Sequence, residues 1–453
     1  MSNAYQSAEA FLLSLVNYEK QSPPAVGNTK DWHMKAFAGL LEKLGNPQSA
    51  YPIIHVAGTK GKGSTTRFIA TLLGAMGYQR VGVFTSPHIE SFRERIAIDN
   101  VPITEDDFAT TLDSVRAHLP TRDENDSGFR TTFETLTAMA LHHFREKKCE
   151  VVVLETGLGG RLDATNVVTA KVALLTAIGY DHQRVLGNTM QLIAAEKAGI
   201  ITPGTGIALI GPQPTRRMKI MRVAAKKQAI KSKVPLQTYD VQADPVPSFF
   251  CAEHGFRLNV RALGLELNDV QFHLLGRHQI DNLRAALLAC EAFIGTSKTV
   301  SAEQLRAGIE ACVSPGRLEI VRENPPALVD GAHCPLSAAA AIKAIEAHFP
   351  GKKVVIILGV LADKNHEDIL RHLAQCDCPL LLTYTPSSPR ALNARDLELQ
   401  AAPLFPNVRS CASPEEAVQI ALNYQSRHPK TVVLCTGTFY GIAAVRNALQ
   451  THK

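Results

Sequence analysis

The chain has 453 residues, 45% hydrophobic and 20% charged, which excludes a disordered, collagenous or low-complexity protein. At about 150 residues per domain, two or three domains are expected, each able to bury a core. The net charge of +6 is mild; it suits an anionic small-molecule substrate and suggests no basic stripe for nucleic acid.

The first 45 residues read as helical. Phe11, Leu12, Leu15 and Val16 share one face, and Phe37, Leu40, Leu41 and Leu44 repeat the spacing before Gly45. Ile53 to Ala57 is a short apolar run ending in glycine, a buried strand. A helix follows over 65–76 and a strand over 81–85. Buried strands are expected again over 151–154 and 172–178, so this part is α/β with a mainly parallel sheet and helices on both faces. Residues 248–275 alternate apolar and polar, as antiparallel strands do. Helices are expected over 282–293 and 302–312. After Ser314-Pro315-Gly316, strand-like runs at 327–330, 353–359, 379–384 and 431–436 alternate with helices at 337–348, 414–424 and 440–449. That is a second, smaller, Rossmann-like doubly wound unit. The expected domains are 1–312 and 313–453.

Nine cysteines show no C-x-x-C pair and no zinc spacing; Cys376 and Cys378 are the closest. Reduced thiols and a cytoplasmic protein are expected. No apolar run approaches the roughly 18 residues of a membrane span, and the N-terminus carries no signal-like pattern. Membrane and nucleic acid are not among the expected partners.

The strongest local signal is Val56-Ala57-Gly58-Thr59-Lys60-Gly61-Lys62-Gly63-Ser64-Thr65-Thr66. A strand leads in and a helix leads out. Glycines let backbone N–H groups face a phosphate, and the helix N-terminus adds free donors and a positive dipole. Lys62 can reach the β- and γ-phosphates. The strict G-x-x-x-x-G-K-[ST] pattern is not met, since Val56 stands at its first glycine and Gly63 follows the lysine. The bland alternative is a glycine-rich turn without a ligand.

From this point the chain resembles folylpolyglutamate synthase, often bifunctional with dihydrofolate synthase, a branch of the Mur ligase superfamily. The likeness rests on the loop, Thr85-Ser86-Pro87-His88, Glu94-Arg95-Ile96 and the run from Glu155 to Asn166. It continues through Asp181-His182, Glu196-Lys197-Ala198-Gly199-Ile200, His278-Gln279 with Asn282, Gly316-Arg317, Asp330-Gly331-Ala332-His333 and Thr436-Gly437-Thr438. The resemblance implies a ligase that uses ATP to add L-glutamate to a reduced folate and to dihydropteroate through an acyl phosphate. It implies Mg²⁺, two ions in number, leaves room for a monovalent cation, and suggests a monomer.

The same resemblance assigns roles. Thr59, Lys60, Gly61, Lys62, Gly63 and Ser64 hold the triphosphate, with Asn282, Arg317 and Asp330 as further nucleotide contacts. Ser86, Glu155 and His182 match magnesium positions, and Lys197 matches a lysine that is typically carbamylated. Lys62, Glu155, His182 and Lys197 make the catalytic set. Thr131, Thr132, Phe133, Glu134, Leu162, Asp163 and Ala164 are pterin candidates, with a weaker match at Asp31-Trp32-His33-Met34. Several have a plainer alternative. Glu155 could be a solvated strand end, His182 a surface histidine, Lys197 a partner of Glu196, Asn282 a helix cap, Arg317 an ion pair, and His333 and Phe133 packing residues. Three departures from the family pattern stand out: Cys334 for asparagine, Lys60 for asparagine, and the Asp31–Met34 stretch. A sister ligase for another acidic acceptor, such as a cell-wall peptide precursor, and an ATP-binding regulatory module remain the competing readings.

Overall fold

The computed structural model describes residues 2–17, 34–119, 131–240, 248–252 and 254–451. Backbone contacts divide the chain into two units. The first comprises 1–248, 258–270 and 280–312; the second comprises 249–257, 271–279 and 313–453. No described helix is long and apolar enough to cross a membrane.

The first unit is built on eight strands. They are β1 (Ile53–Ala57), β2 (Val81–Phe84), β3 (Ile96–Ile98), β4 (Val101–Pro102), β5 (Val151–Glu155), β6 (Val172–Leu175), β7 (Ile207–Ile210) and β8 (Leu236–Thr238). Their order is β4-β3-β2-β5-β1-β6-β7-β8. Pairing is parallel from β2 to β8, and β3 and β4 add an antiparallel edge. β1 and β5 are buried at every position, as strands covered on both faces must be. β1 lies between β5 and β6, with Val56 opposite both Glu155 and Leu174. The carboxyl ends of three strands are thereby brought level.

One apolar cluster joins the helices Asn3–Ser14 and Met34–Lys43 to the helix Thr132–Glu146 through Leu12, Phe37, Leu41, Leu136 and Phe144. A second gathers Ala57, Leu175, Ala194, Met221 and Ala225. Val16, expected on the first helix face, lies beyond the helix end, where it bridges to Thr131 and is 44% exposed. The helix expected from residue 65 starts at Lys62, and the one expected from 282 starts at Arg277. The strand expected over 172–178 ends at Leu175.

β9 (Ser248–Ala252), β10 (Gly255–Ala262) and β11 (Leu265–Phe272) form a small sheet. β10 and β11 are joined by Leu263 and Gly264, both at positive φ (54° and 73°). Such a two-residue turn connects antiparallel strands.

The second unit contains β12 (Glu319–Arg322), β13 (Ala327–Val329), β14 (Lys353–Leu358), β15 (Leu380–Thr383), β16 (Val408–Ser410) and β17 (Thr431–Thr436), ordered β12-β13-β17-β14-β15-β16. All pairs but β12–β13 are parallel. β12, β16 and the helices His366–Leu373 and Ala394–Ala401 lie where the sequence pattern gave no clear signal.

Gly82 in β2 shows how tightly the main sheet is packed. A Cβ there would stand 2.9 Å from Phe144 Cδ1 and Val152 Cγ2. Gly82→Ala is expected to lower stability by about 1–3 kcal/mol. The check is a fall in the urea midpoint of unfolding.

Candidate active site

The loop after β1 is pinned by the chain that follows β6. The Thr59 and Lys60 N–H groups both donate to the Ala177 carbonyl, at 2.9 and 3.0 Å. Thr176 Oγ1 donates to the Lys60 carbonyl at 2.9 Å, and Thr59 Oγ1 to that of Gly179 at 3.2 Å. Two glycines are required for contact reasons. A Cβ on Gly58 would fall 1.9 Å from Thr176 Oγ1, and one on Gly61 would fall 2.1 Å from Asn282 Oδ1. Gly61 also has φ +85°. Val56, the departure from the strict loop pattern, is a central strand residue and needs no glycine conformation.

Lys62 and Gly63 open the helix Lys62–Ala75, and Gly61 supplies no side-chain cap. A helix start without a capping side chain suits an anion. Asn282 packs against this loop from within the helix Arg277–Ile294, so it is not that helix's cap.

Glu155 ends β5 and is 3% exposed. Its Oε2 accepts the Ser86 N–H at 3.1 Å, and its Oε1 is 3.9 Å from Lys62 Nζ. A Cβ on Gly63 would lie 3.2 Å from the same carboxylate. Arg67, one turn further along the helix, donates to Thr85 Oγ1 at 3.3 Å. Burial pushes the Arg67 pKa down, and Glu155 and Glu94 pull it back. Lys62, Ser86 and Glu155 are thus brought together. His182 is 48% exposed at the start of the helix Gln183–Leu186, with Nε2 3.8 Å from Asp181 Oδ1. Asp181 Oδ2 takes Lys60 Nζ at 3.4 Å.

Among the described residues, no three His, Cys, Asp or Glu side chains cluster as a metal cage. The donor set nonetheless fits Mg²⁺. A buried carboxylate beside a hydroxyl residue and a phosphate loop is what an ion shared between protein oxygen and phosphate requires. Glu155 and Ser86 would hold it.

Lys197 lies in the helix Met190–Ala198 and is buried. Its Nζ donates to the Gly58 carbonyl at 2.8 Å. Burial, then Lys62, push its pKa down to about 7, against Asp181 and Asp163. The expected alternative partner, Glu196, instead pairs with Arg161 at 2.9 Å.

Of the pterin candidates, Thr131 and Glu134 form a reciprocal cap on the helix Thr132–Glu146. Glu134 Oε2 accepts from the Thr131 N–H and hydroxyl, so that carboxylate is engaged. Thr132 Oγ1 donates to Leu12 O. Phe133 is half-buried, with its ring 5.7 Å from that of Phe84 and so close to Gly157 that a Cβ there would meet it at 2.5 Å. Leu162 is half-buried and Ala164 buried. Asp163 is buried and accepts from the Leu158 N–H (2.7 Å), the Thr165 N–H (3.0 Å) and the Thr165 hydroxyl (2.6 Å). Burial raises its pKa. The Thr165 hydroxyl gives its proton to Asp163, so His55 Nε2, 2.8 Å away, must donate to it. Burial holds His55 at about 3, hence neutral. Asp31, Trp32 and His33 lie outside the described residues, and Met34 opens the helix Met34–Lys43.

In the second unit, Asp330 is tied down by the N–H groups of Leu318 and Ala332, both at 2.8 Å. Burial raises its pKa and Arg317 lowers it. Arg317 lies over the Phe439 ring at 4.4 Å, and Gly331 gives that ring room. His333 Nδ1 meets the Gly331 carbonyl at 2.8 Å. Cys334 stands at the start of the helix Pro335–His348, with Sγ 3.1 Å from Ser337 Oγ.

Sequence reasoning missed four residues of this neighbourhood. Asp181 adjoins His182 in a motif already noted. Thr176 and His55 flank or lie within the strands that carry the loop, and Arg67 gave no signal, because only the fold places it beside Thr85.

Family models match the chain as the Mur ligase middle domain over residues 56–290 and the Mur ligase, glutamate ligase domain over 316–439. It is 31% identical to the dihydrofolate synthase/folylpolyglutamate synthase of Bacillus subtilis, over 99% of this chain and all of that one. It is 35% identical to the enzyme of that name from Mycobacterium tuberculosis, over 86% of this chain and 82% of that one. Among solved structures, Mycobacterium tuberculosis folylpolyglutamate synthase complexed with ADP and AMPPCP superposes with TM-score 0.86 at 31% identity, covering 98% of both chains. A folylpolyglutamate synthase–AMPPCP–folate complex superposes with TM-score 0.80 at 30% identity, covering 99% of both. A matched domain pair and relatives aligned almost end to end lead to one conclusion: the chain belongs to the Mur ligase family, in its folylpolyglutamate synthase/dihydrofolate synthase branch.

Proposed function

We propose that the chain is an ATP-dependent ligase that adds L-glutamate to folates, extending the tail of tetrahydrofolate and also acting on 7,8-dihydropteroate. The observation that carries this reading is a phosphate loop with Lys62 and a buried Glu155 at its mouth, in a chain that aligns over 99% of its length with a relative named dihydrofolate synthase/folylpolyglutamate synthase.

The folate carboxylate attacks the γ-phosphorus of ATP, the bond to the β-phosphate oxygen breaks, and ADP leaves. The amine of L-glutamate then adds to the acyl carbon, loses a proton, and phosphate departs as the amide forms. Every group before this amine is anionic. Lys62 and the helix start at Gly61 meet the phosphate charge, and in a buried site such donors count for more than in water. Magnesium held by Ser86 and Glu155 supplies further neutralisation when bound. His182 is the proposed third ligand. Arg317 and Asp330 are proposed nucleotide contacts of the second unit. Phe133 and Leu162, half-buried, are proposed to face the pterin, while Asp163 shapes the loop that presents Leu162.

Lys197 is the proposed carbamylation site. Only a neutral amine attacks CO₂, and burial keeps much of this one neutral near pH 7. The addition forms an N–C bond and releases a proton, giving an anion that suits a second magnesium ion. The carbamate nitrogen keeps one hydrogen and can still donate to the Gly58 carbonyl. The protein is proposed to act in the cytoplasm as a monomer; all nine cysteines are free thiols.

The direct test is glutamate-dependent phosphate release with ATP and Mg²⁺. Turnover with both tetrahydrofolate and dihydropteroate is expected. Nucleotide binding without turnover on either would point to the sister-ligase or regulatory readings. Lys62→Ala should lower kcat/KM for ATP by roughly a hundred- to a thousand-fold in a folded protein; normal saturation would remove Lys62 from the phosphate site. Glu155→Ala should shift the magnesium titration to higher concentration, and an unchanged titration would exclude it as a ligand.

For Lys197 the sign is set by burial. The folded chain binds fewer protons here than the unfolded one between pH about 7 and 10.5. The destabilisation is therefore complete below pH 7 and fades above it. In bicarbonate-free buffer, Lys197→Met should gain stability over the wild type at pH 6 and less so at pH 9, while losing ligase activity. An equal gain at both values would refute the depressed pKa.

A further inference from the structure

The whole-chain charge of +6 conceals a strong local one, which corrects the expectation of no basic stripe. The helix Thr215–Ser232 carries seven Lys and Arg and no Asp or Glu over 18 residues. At about 100° per residue its faces separate cleanly. Met221, Ala225, Ala229 and Ser232 form the buried face. Val223 and Ile230, seven residues apart, mark the centre of the opposite face; they are 72% and 68% exposed. Lys219, Arg222 and Lys226 flank them on one side, and Arg216, Lys227 and Lys231 on the other, all exposed. None of these six makes an ion pair among the described residues. The seventh, Arg217, is engaged with the Ile178 carbonyl at 3.1 Å.

We infer that this helix is a peripheral docking surface for an anionic lipid bilayer. It lies flat, with Val223 and Ile230 at the acyl boundary and the six cations among headgroup phosphates. Size separates this occupant from a protein partner. The face is about 27 Å long and 10–12 Å wide, roughly 300 Å². A stable protein interface takes about 800 Å² from each partner. A bilayer makes no such demand, because each cation close to an anionic leaflet raises partitioning roughly fivefold and shallow aliphatic insertion adds to it. Nucleic acid fits less well. Its phosphates would meet the aliphatic centre line, and the helix has no aromatic on which a base could stack.

The test is co-sedimentation of the full chain with vesicles of equal parts phosphatidylglycerol and phosphatidylcholine, against phosphatidylcholine alone. Binding to the anionic vesicles only, with release at about 0.5 M salt, is expected. The triple variant K219E/R222E/K226E should bind at least roughly a hundred-fold more weakly. Its ATP turnover without vesicles should match the wild type, which shows the fold intact. V223S/I230S should weaken binding while keeping the salt dependence. Absence of wild-type binding, equal binding to neutral vesicles, or an undiminished triple variant would overturn the inference. So would displacement from anionic vesicles by a polyuridylate RNA at matched charge, which would assign the surface to nucleic acid.

Discussion

The phosphate loop and the groups around it depend on one constraint, the parallel register of β1 between β5 and β6. Val56 is level with Glu155 on one side and Leu174 on the other. The phosphate loop, the carboxylate and the Thr176–Asp181 segment therefore emerge together at the carboxyl edge of the sheet. That edge is where open parallel sheets bind ligands, because strand ends and helix starts converge there. A shift of one residue would point the Glu155 side chain to the other face.

Around that edge the electrostatics are built from buried and half-buried groups. Lys62, Arg67 and Lys197 surround the loop with positive or potentially positive charge, and Glu155, Asp163 and Asp181 answer it. Three of them are held by specific hydrogen bonds: Glu155 by the Ser86 N–H, Asp163 by Leu158 and Thr165, Lys197 by the Gly58 carbonyl. Such arrangements tie charge to fixed positions and leave little to reorganise when a phosphate arrives. Backbone space matters equally. Gly58 and Gly61 touch Thr176 and Asn282 so closely that any side chain would push the loop out of place.

Cys334 replaces an amide that is usual in this family, and the structure shows what the thiol does. It caps the helix Pro335–His348 beside Ser337, whose hydroxyl accepts the Cys334 N–H and donates to the Cys334 carbonyl. The anchoring of Asp330 by the Leu318 and Ala332 N–H groups does not involve the Cys334 side chain, so the acidic position survives the substitution.

The sequence by itself was enough for the α/β class, for the loop from Gly58 to Ser64, and for the motifs that mark the family. These are local patterns: buried strands read as continuous apolar runs, and glycines followed by lysine at a strand–helix junction have few other uses. The tertiary structure decided what depends on residues far apart in the chain. It placed Lys197 on the Gly58 carbonyl, 139 positions away. It moved Asn282 from a helix start to the wall of the loop, and bound Glu134 and Asp163 into capping roles. It also showed that six of the seven basic residues of Thr215–Ser232 are exposed and make no ion pair among the described residues, which total charge hides by averaging over the whole chain. Burial and pairing arise from neighbours that only folding supplies, so pKa shifts such as those of Lys197 and His55 cannot be read along the chain.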